Sequence, residues 1–343
     1  PSVLMMFYRA PGELESELAE MDECMPHYYR VTNRHGQGAE TIMRAEALFC
    51  QGHVTDAHIE LERAYAQVGG NGQINMALCC DFLSWRLSLH TDVERRYTFS
   101  ERYAALLRYH DASWINIWSA TSAYYHALRG ETDKIPEIFS QHRLSDIHLL
   151  APGKPMTEMI ENQVYLAQGA YAKVVGRSAE LLAACEAMHY ALVALHIRVQ
   201  TAAAYARLGK PETAHTWLQK ALSDAGPDGL VMPFAENYSL LKPLLARETR
   251  SAFAARITAL GEAAQARGAE RLRPAAFRAL TAREFEIVEL MAQRLSNREI
   301  AQKCYLSEGS VKQYVNQIYS KLHIEGDTRT KRAQLAALLH EKT

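Results

Sequence analysis

Leu295-Ser296-Asn297-Arg298-Glu299-Ile300-Ala301, with Leu306-Ser307-Glu308 and Val311-Lys312 behind it, is the stretch that decides how the C-terminal part of the chain folds. Ser296 stands three residues before Glu299. That is the spacing of a capping box, in which a hydroxyl accepts the N3 amide while the carboxylate accepts the N-cap amide. Upstream, Thr281 and Glu284 repeat the spacing; downstream, Ser307 before Glu308 marks a third helix start. Helix starts this close leave two short helices joined by a tight turn, which is helix-turn-helix geometry. On the third helix Val311, Val315, Ile318 and Leu322 recur at i, i+4, i+7 and i+11 and form a stripe to be buried. Lys312, Gln313 and Asn316 then share the face that looks outward.

Four blocks extend this reading: Leu280-Thr281-Ala282-Arg283-Glu284, Ser296-Asn297-Arg298-Glu299-Ile300-Ala301, Ser307-Glu308-Gly309-Ser310-Val311-Lys312 and Ile318-Tyr319-Ser320-Lys321-Leu322. In order and spacing, the run resembles the LuxR-type (GerE-like) bacterial DNA-binding domain. It departs from that pattern at Arg294, where the family has a turn glycine, at Cys304, where it has leucine, and at Tyr314, where it has histidine. The expected partner is double-stranded DNA. Lys donates to guanine O6/N7, and Gln and Asn pair with adenine N6/N7 in the major groove. Lys312, Gln313 and Asn316, at the family's base-contacting positions, are therefore the candidate base readers. Ser307, Ser310, Tyr314 and Lys321 are the candidate phosphate contacts, which fix register without reading sequence. Ala333, Leu335, Ala336 and Leu339 outline a last amphipathic helix, in the family a dimer contact; a homodimer through it and packing on its own domain are both open.

With 343 residues the chain exceeds one typical core, and 48% hydrophobic with 22% charged residues is a soluble globular composition. No apolar run approaches the roughly 18 residues of a membrane span, so no membrane partner and a cytoplasmic location are expected. Residues 271–343 hold 13 Lys/Arg against 8 Asp/Glu, leaving 25 against 31 upstream, so only the tail suits a polyanion. Cys24, Cys50, Cys79, Cys80, Cys185 and Cys304 show no CxxC spacing and read as reduced core residues. Pro1 follows no initiator Met and begins no signal-peptide pattern, which suggests a piece of something longer.

Upstream of the tail nearly everything reads as amphipathic helix, with Gly and Pro between segments. Ala45-x-x-Leu48-Phe49-x-Gln51-Gly52 followed by Ala57 matches Ala202-x-x-Tyr205-Ala206-x-Leu208-Gly209 followed by Ala214. Gly130 and Gly169 lie between them, and His90-Thr91-Asp92 falls midway along the longest step, giving five units of about 39 residues. Each is expected to be a helix, a short turn and a second helix, with small residues where the pair crosses; Arg96 and Asn162 break that rule. The period resembles tetratricopeptide-type repeats, lengthened, which stack into a curved solenoid with a concave surface. The expected fold is thus all-α: a superhelical helix-hairpin (TPR-like) array at 1–245, a helical linker at 246–273 and a small helix-turn-helix domain at 274–343. An irregular α-bundle is the alternative for the array. The combination looks like the C-terminal half of MalT-like regulators, which implies a small-molecule inducer on the arm and an ATP-controlled assembly upstream.

Gly153-Lys154 and Gly209-Lys210 are each followed by proline and lack the earlier glycine of a phosphate-binding loop. No HExxH pair, metal set or paired acid and base appears, so neither a cofactor nor a metal is expected and the chain is not read as an enzyme. Trp114 and Trp118, one turn apart, read as repeat core; the sharper alternative places them in a groove for a ligand or partner. The leading reading is a DNA-binding transcriptional regulator whose helical arm senses a ligand or docks a protein. A protein-interaction scaffold with a secondary DNA-binding tail is the other.

Overall fold

A computed structural model describes residues 2–340, apart from 70–72, 94, 110–111, 148–150 and 249, and leaves undescribed the side chains of 151, 272, 275, 282, 328–329, 336 and 340. Pro1 and the side chain of Ala336 therefore lie outside the described residues. Among the described residues every regular element is helical, and the chain forms two compact units, Pro1–Gln265 and Ala266–Thr343.

The first unit opens with α1 (Val3–Phe7) and α2 (Leu14–Val31), then α3 (Ala39–Cys50), α4 (Val54–Gly69) and α5 (Ile74–Leu87). It continues with α6 (Phe99–Leu106), α7 (Ala112–Leu128), α8 (Glu137–Ser140), α9 (Lys154–Ala167) and α10 (Tyr171–Ala187). There follow α11 (Ala191–Arg207), α12 (Pro211–Ala225), α13 (Met232–Ala235), α14 (Tyr238–Leu245) and α15 (Ala252–Leu272), the last running across the boundary between units.

Gly52, Gly130, Gly169 and Gly209 all stand at positive φ in the turns that follow α3, α7, α9 and α11. Behind three of those turns the next helix buries one stripe in the same register: Ala57, Leu61, Ala64 and Val68 on α4, Val174, Ser178, Leu181 and Cys185 on α10, Ala214, Leu218, Ala221 and Ala225 on α12. A stripe at i, i+4, i+7 and i+11 is one helix face. The alanines at 45, 57, 202 and 214 are fully buried.

Two of the expected hairpins depart from this form. After Thr91 the second helix does not begin until Phe99, and Arg96 lies over the Tyr65 ring and pairs with Glu62 at 3.1 Å. After Gly130 the second helix shrinks to the single turn α8, entered through Pro136 and flanked by 3-10 turns. The segment expected as a helical linker at 246–273 holds α15. The first half of α15 buries Ala254 and Ile257 in the core of the first unit.

Where an open solenoid would leave a concave face, the inner helices here meet one another. Arg86 on α5 forms a buried two-pronged pair with Glu236 (2.7 and 3.0 Å), and Tyr124 on α7 donates to the same carboxylate at 3.0 Å. The first and last hairpins also touch: Gln51 donates to the Asp228 carbonyl (3.1 Å) and Arg256 to the Gln51 carbonyl (2.8 Å). Gly52 shows how close they come. Besides its φ of +84°, which strains any L side chain, a Cβ there would stand 2.8 Å from Leu260 and 2.9 Å from Val231, so a larger residue would force those side chains to shift.

Candidate nucleic-acid interface

The second unit is built on three capped helices. Thr281 caps α16 (Ala282–Ala292): its hydroxyl accepts the Glu284 amide at 3.2 Å, and the Glu284 carboxylate accepts the Thr281 amide at 2.7 Å. Ser296 and Glu299 make the same reciprocal pair at the start of α17 (Asn297–Cys304), at 3.3 and 2.7 Å. Ser307 opens α18 (Glu308–Lys321), where its hydroxyl accepts the Ser310 amide at 3.0 Å. α19 (Thr328–His340) closes the unit.

Each turn between them needs a left-handed residue. Arg294 has φ +63° after α16, and Tyr305 has φ +54° at the end of α17. Such a residue lets the next amide reach back to an otherwise unpaired carbonyl. Leu306 does so, donating to the Ala301 carbonyl at 2.9 Å.

The apolar stripe of α18 packs as its spacing requires. Val311 and Ile318 are buried, while Val315, Tyr314 and Leu322 are half-buried against the same core, with Ile300, Cys304 and Ile287 from the two preceding helices. Lys312, Gln313 and Asn316 are all exposed on the other side. Ser307 is exposed, Ser310 half-buried, and their hydroxyls lie 2.8 Å apart, so both already act in the cap. Lys321 is committed as well: its Nζ donates to the buried Glu284 carboxylate at 2.7 Å. Burial pushes the Glu284 carboxyl up, but the hydrogen bonds from Lys321 and Thr281 outweigh it and hold the group below its ordinary range.

Three residues mattered that spacing did not single out. Arg283 donates to the Cys304 carbonyl, satisfying the end of α17 from the start of α16, and to Glu286 at 2.6 Å. Arg273, read as part of a basic linker, is buried: its guanidinium lies over the Phe285 ring and donates to the Leu280 carbonyl at 2.6 Å. Tyr305 is 96% exposed in the turn between α17 and α18, a large aromatic with no core role. The apolar face of α19 turns onto its own unit through buried Leu335 and half-buried Leu339, whereas Ala333 is exposed.

Residues 278–333 match the family of bacterial regulatory proteins described as the luxR family, GerE. The C-terminal unit carries a LuxR-family helix-turn-helix domain. Among curated proteins, the "Transcriptional regulatory protein LnrK" of Bacillus subtilis (strain 168) is 44% identical over 50 residues. The match takes in 15% of this chain and 23% of that protein, so the likeness is to one domain and not to a whole regulator. No solved structure matches the chain. In the LuxR-family domain the cap residues of all three helix starts, the buried stripe of α18 and its polar outer face thus coincide with the matched segment.

In the first unit, Trp118 on α7 packs against α6, the second helix of the preceding hairpin. Its indole nitrogen donates to the Phe99 carbonyl at 3.2 Å, and its ring meets Phe99 and Tyr103 of α6. Trp114, one turn earlier, is half-buried. Among the described residues no helix is long and apolar enough to cross a membrane, and no group of three His, Cys, Asp or Glu could hold a metal ion.

Proposed function

We propose that the chain acts as a DNA-binding transcriptional regulator of the cytoplasm, with α18 seated in the major groove and the helical first unit sensing a small molecule or docking a protein. The observation that carries the reading is the outer face of α18. Lys312, Gln313 and Asn316 are exposed there while Val311 and Ile318 anchor the opposite face in the domain core. Those three side chains can donate to, or pair with, base edges. Ser307, Ser310, Tyr314 and Lys321 are proposed to hold the phosphate backbone, and α19 is the proposed contact of a homodimer.

Selection of an operator from a random duplex pool, followed by titration of operator and random duplex at two salt concentrations, tests the reading. Gln313→Ala and Asn316→Ala should each remove about 1–3 kcal/mol of discrimination at one or two base positions, with random-duplex affinity nearly unchanged. An unaltered specific-to-random ratio in both variants would rule out base reading by this face.

A further inference from the structure

A cavity of ≈ 620 Å³ lies beneath α2 in the first unit. Its floor is α1, the start of α3, the start of α5 and the turn between α10 and α11; its roof is a single face of α2 carrying Glu17, Met21, Met25 and Tyr28 at helical spacing. Met6, Met21, Met25, Met76 and Met188 all line the cavity, and methionine is the apolar side chain best able to fit ligands of differing outline. Clefts that hold small molecules fall at about 300–1,000 Å³.

The polar content of this wall points to the chemistry of the occupant. Glu17 lines the cavity, yet its side chain is only 3% exposed. One carboxylate oxygen accepts the Arg9 amide (2.9 Å) and the Arg9 side chain (3.1 Å); the other is buried without a hydrogen-bond partner. A buried acceptor left unmatched is costly, more so when charged. Glu20 also borders the cavity and shares the same Arg9, so two carboxylates face one guanidinium. His35 and His189 stand at the exposed rim, and Asn75 is uncharged.

We propose that this cavity binds an apolar small molecule bearing an ammonium group, with the cation on the free Glu17 oxygen and the hydrocarbon among the methionines. The site deepens the reading of the first unit as a sensor and rests on that reading only for its consequence in regulation. A cationic head would supply the donor Glu17 lacks and cancel the uncompensated charge.

Octylamine, 1-octanol and octanoate, matched in chain length, separate head group from tail when titrated calorimetrically into the 343-residue chain. Octylamine should bind saturably, at least tenfold tighter than 1-octanol, with octanoate weakest. Glu17→Gln keeps the acceptor for Arg9 and should bring octylamine down to the affinity of 1-octanol while changing 1-octanol less than threefold. Met188→Trp, at the half-buried turn, should fill the cavity and abolish binding of all three with the circular dichroism unchanged. Equal binding of octanoate and octylamine, or a preference that survives Glu17→Gln, would overturn the proposal. So would no binding of any probe at millimolar concentration, including the case in which sedimentation shows a second copy of the chain covering this face. Operator binding measured on the same samples keeps the two readings apart. Its loss with octylamine binding intact would count against the regulator and leave the cavity standing.

Discussion

Single residues in the LuxR-family domain do two tasks at once. Arg294 occupies a left-handed turn in which an L side chain crowds its own carbonyl, at a cost of about 1–2 kcal/mol that glycine does not incur. Glycine returns part of that gain through its freedom in the unfolded chain, so Arg294→Gly should stabilise the domain by about 0.5–1 kcal/mol. Slower amide hydrogen exchange in peptides from 280–304 would register it; faster exchange would mean that the arginine side chain holds the turn. Lys321 is the sharper case, because the ammonium proposed for phosphate already serves Glu284. Lys321→Ala should weaken binding to every duplex alike and lower the salt slope by about one. Glu284→Gln keeps an acceptor for the Thr281 cap yet releases Nζ, and should leave duplex affinity the same or higher. If both substitutions weaken DNA equally, the pair matters for the position of α18 and not for phosphate.

Among the helices, α1 is held to α3 by one contact of unusual character. The Leu4 amide donates to the Glu46 carboxylate at 2.7 Å, and burial pushes that carboxyl up to about 7 although the Leu4 amide and the Ser2 hydroxyl pull it down. The unfolded value is about 4.3. Since the folded value is the higher, the folded protein holds an extra proton between the two. This contribution is complete below about pH 4 and is lost as pH rises through 7. Glu46→Gln should therefore match the parent near pH 4 and exceed it at pH 8 by about 4 kcal/mol, since each tenfold difference in proton affinity between the two states corresponds to about 1.4 kcal/mol. Urea titrations at the two pH values read it directly. The carboxylate's partner on α1 lies 42 residues away, and that distance separates what was legible in the sequence from what was not. Cap pairs such as Ser296 with Glu299, and glycines such as Gly169 before a buried stripe, act within one or two turns and could be read. The reach of Arg283 to Cys304, the burial of Arg273 and the shrinkage of α8 depend on neighbours that only the folded chain brings together. The face of α18 was legible because its period of burial is local; the cavity under α2 was not, since its wall is drawn from several separate helices.

Across the whole first unit, closure depends on a charged centre where a hydrocarbon one would be expected. Arg86 and Glu236, 150 residues apart, meet with both side chains at 2% exposure or less, beneath the rings of Phe49, Phe82 and Tyr124. Burial, reinforced by the nearby Arg86 charge, drives His196 down to about 3, so this histidine is neutral throughout the physiological range and leaves the pair as the charged centre. Taking two charges from water costs several kcal/mol, which their mutual attraction only roughly offsets, but removing one partner strands the other. Arg86→Ala should therefore destabilise the first unit by about 3–5 kcal/mol. The double substitution Arg86→Met with Glu236→Leu removes the stranded charge, yet it deprives the Tyr124 hydroxyl of its acceptor, a loss of about 1–3 kcal/mol. It should fall between the parent and Arg86→Ala. Tryptophan fluorescence during urea unfolding suits the measurement, because Trp85, Trp114, Trp118 and Trp217 all lie in the first unit and report nothing from the LuxR-family domain. A double variant less stable than Arg86→Ala would mean that the pair itself, rather than the burial around it, holds α5 to the segment after α13.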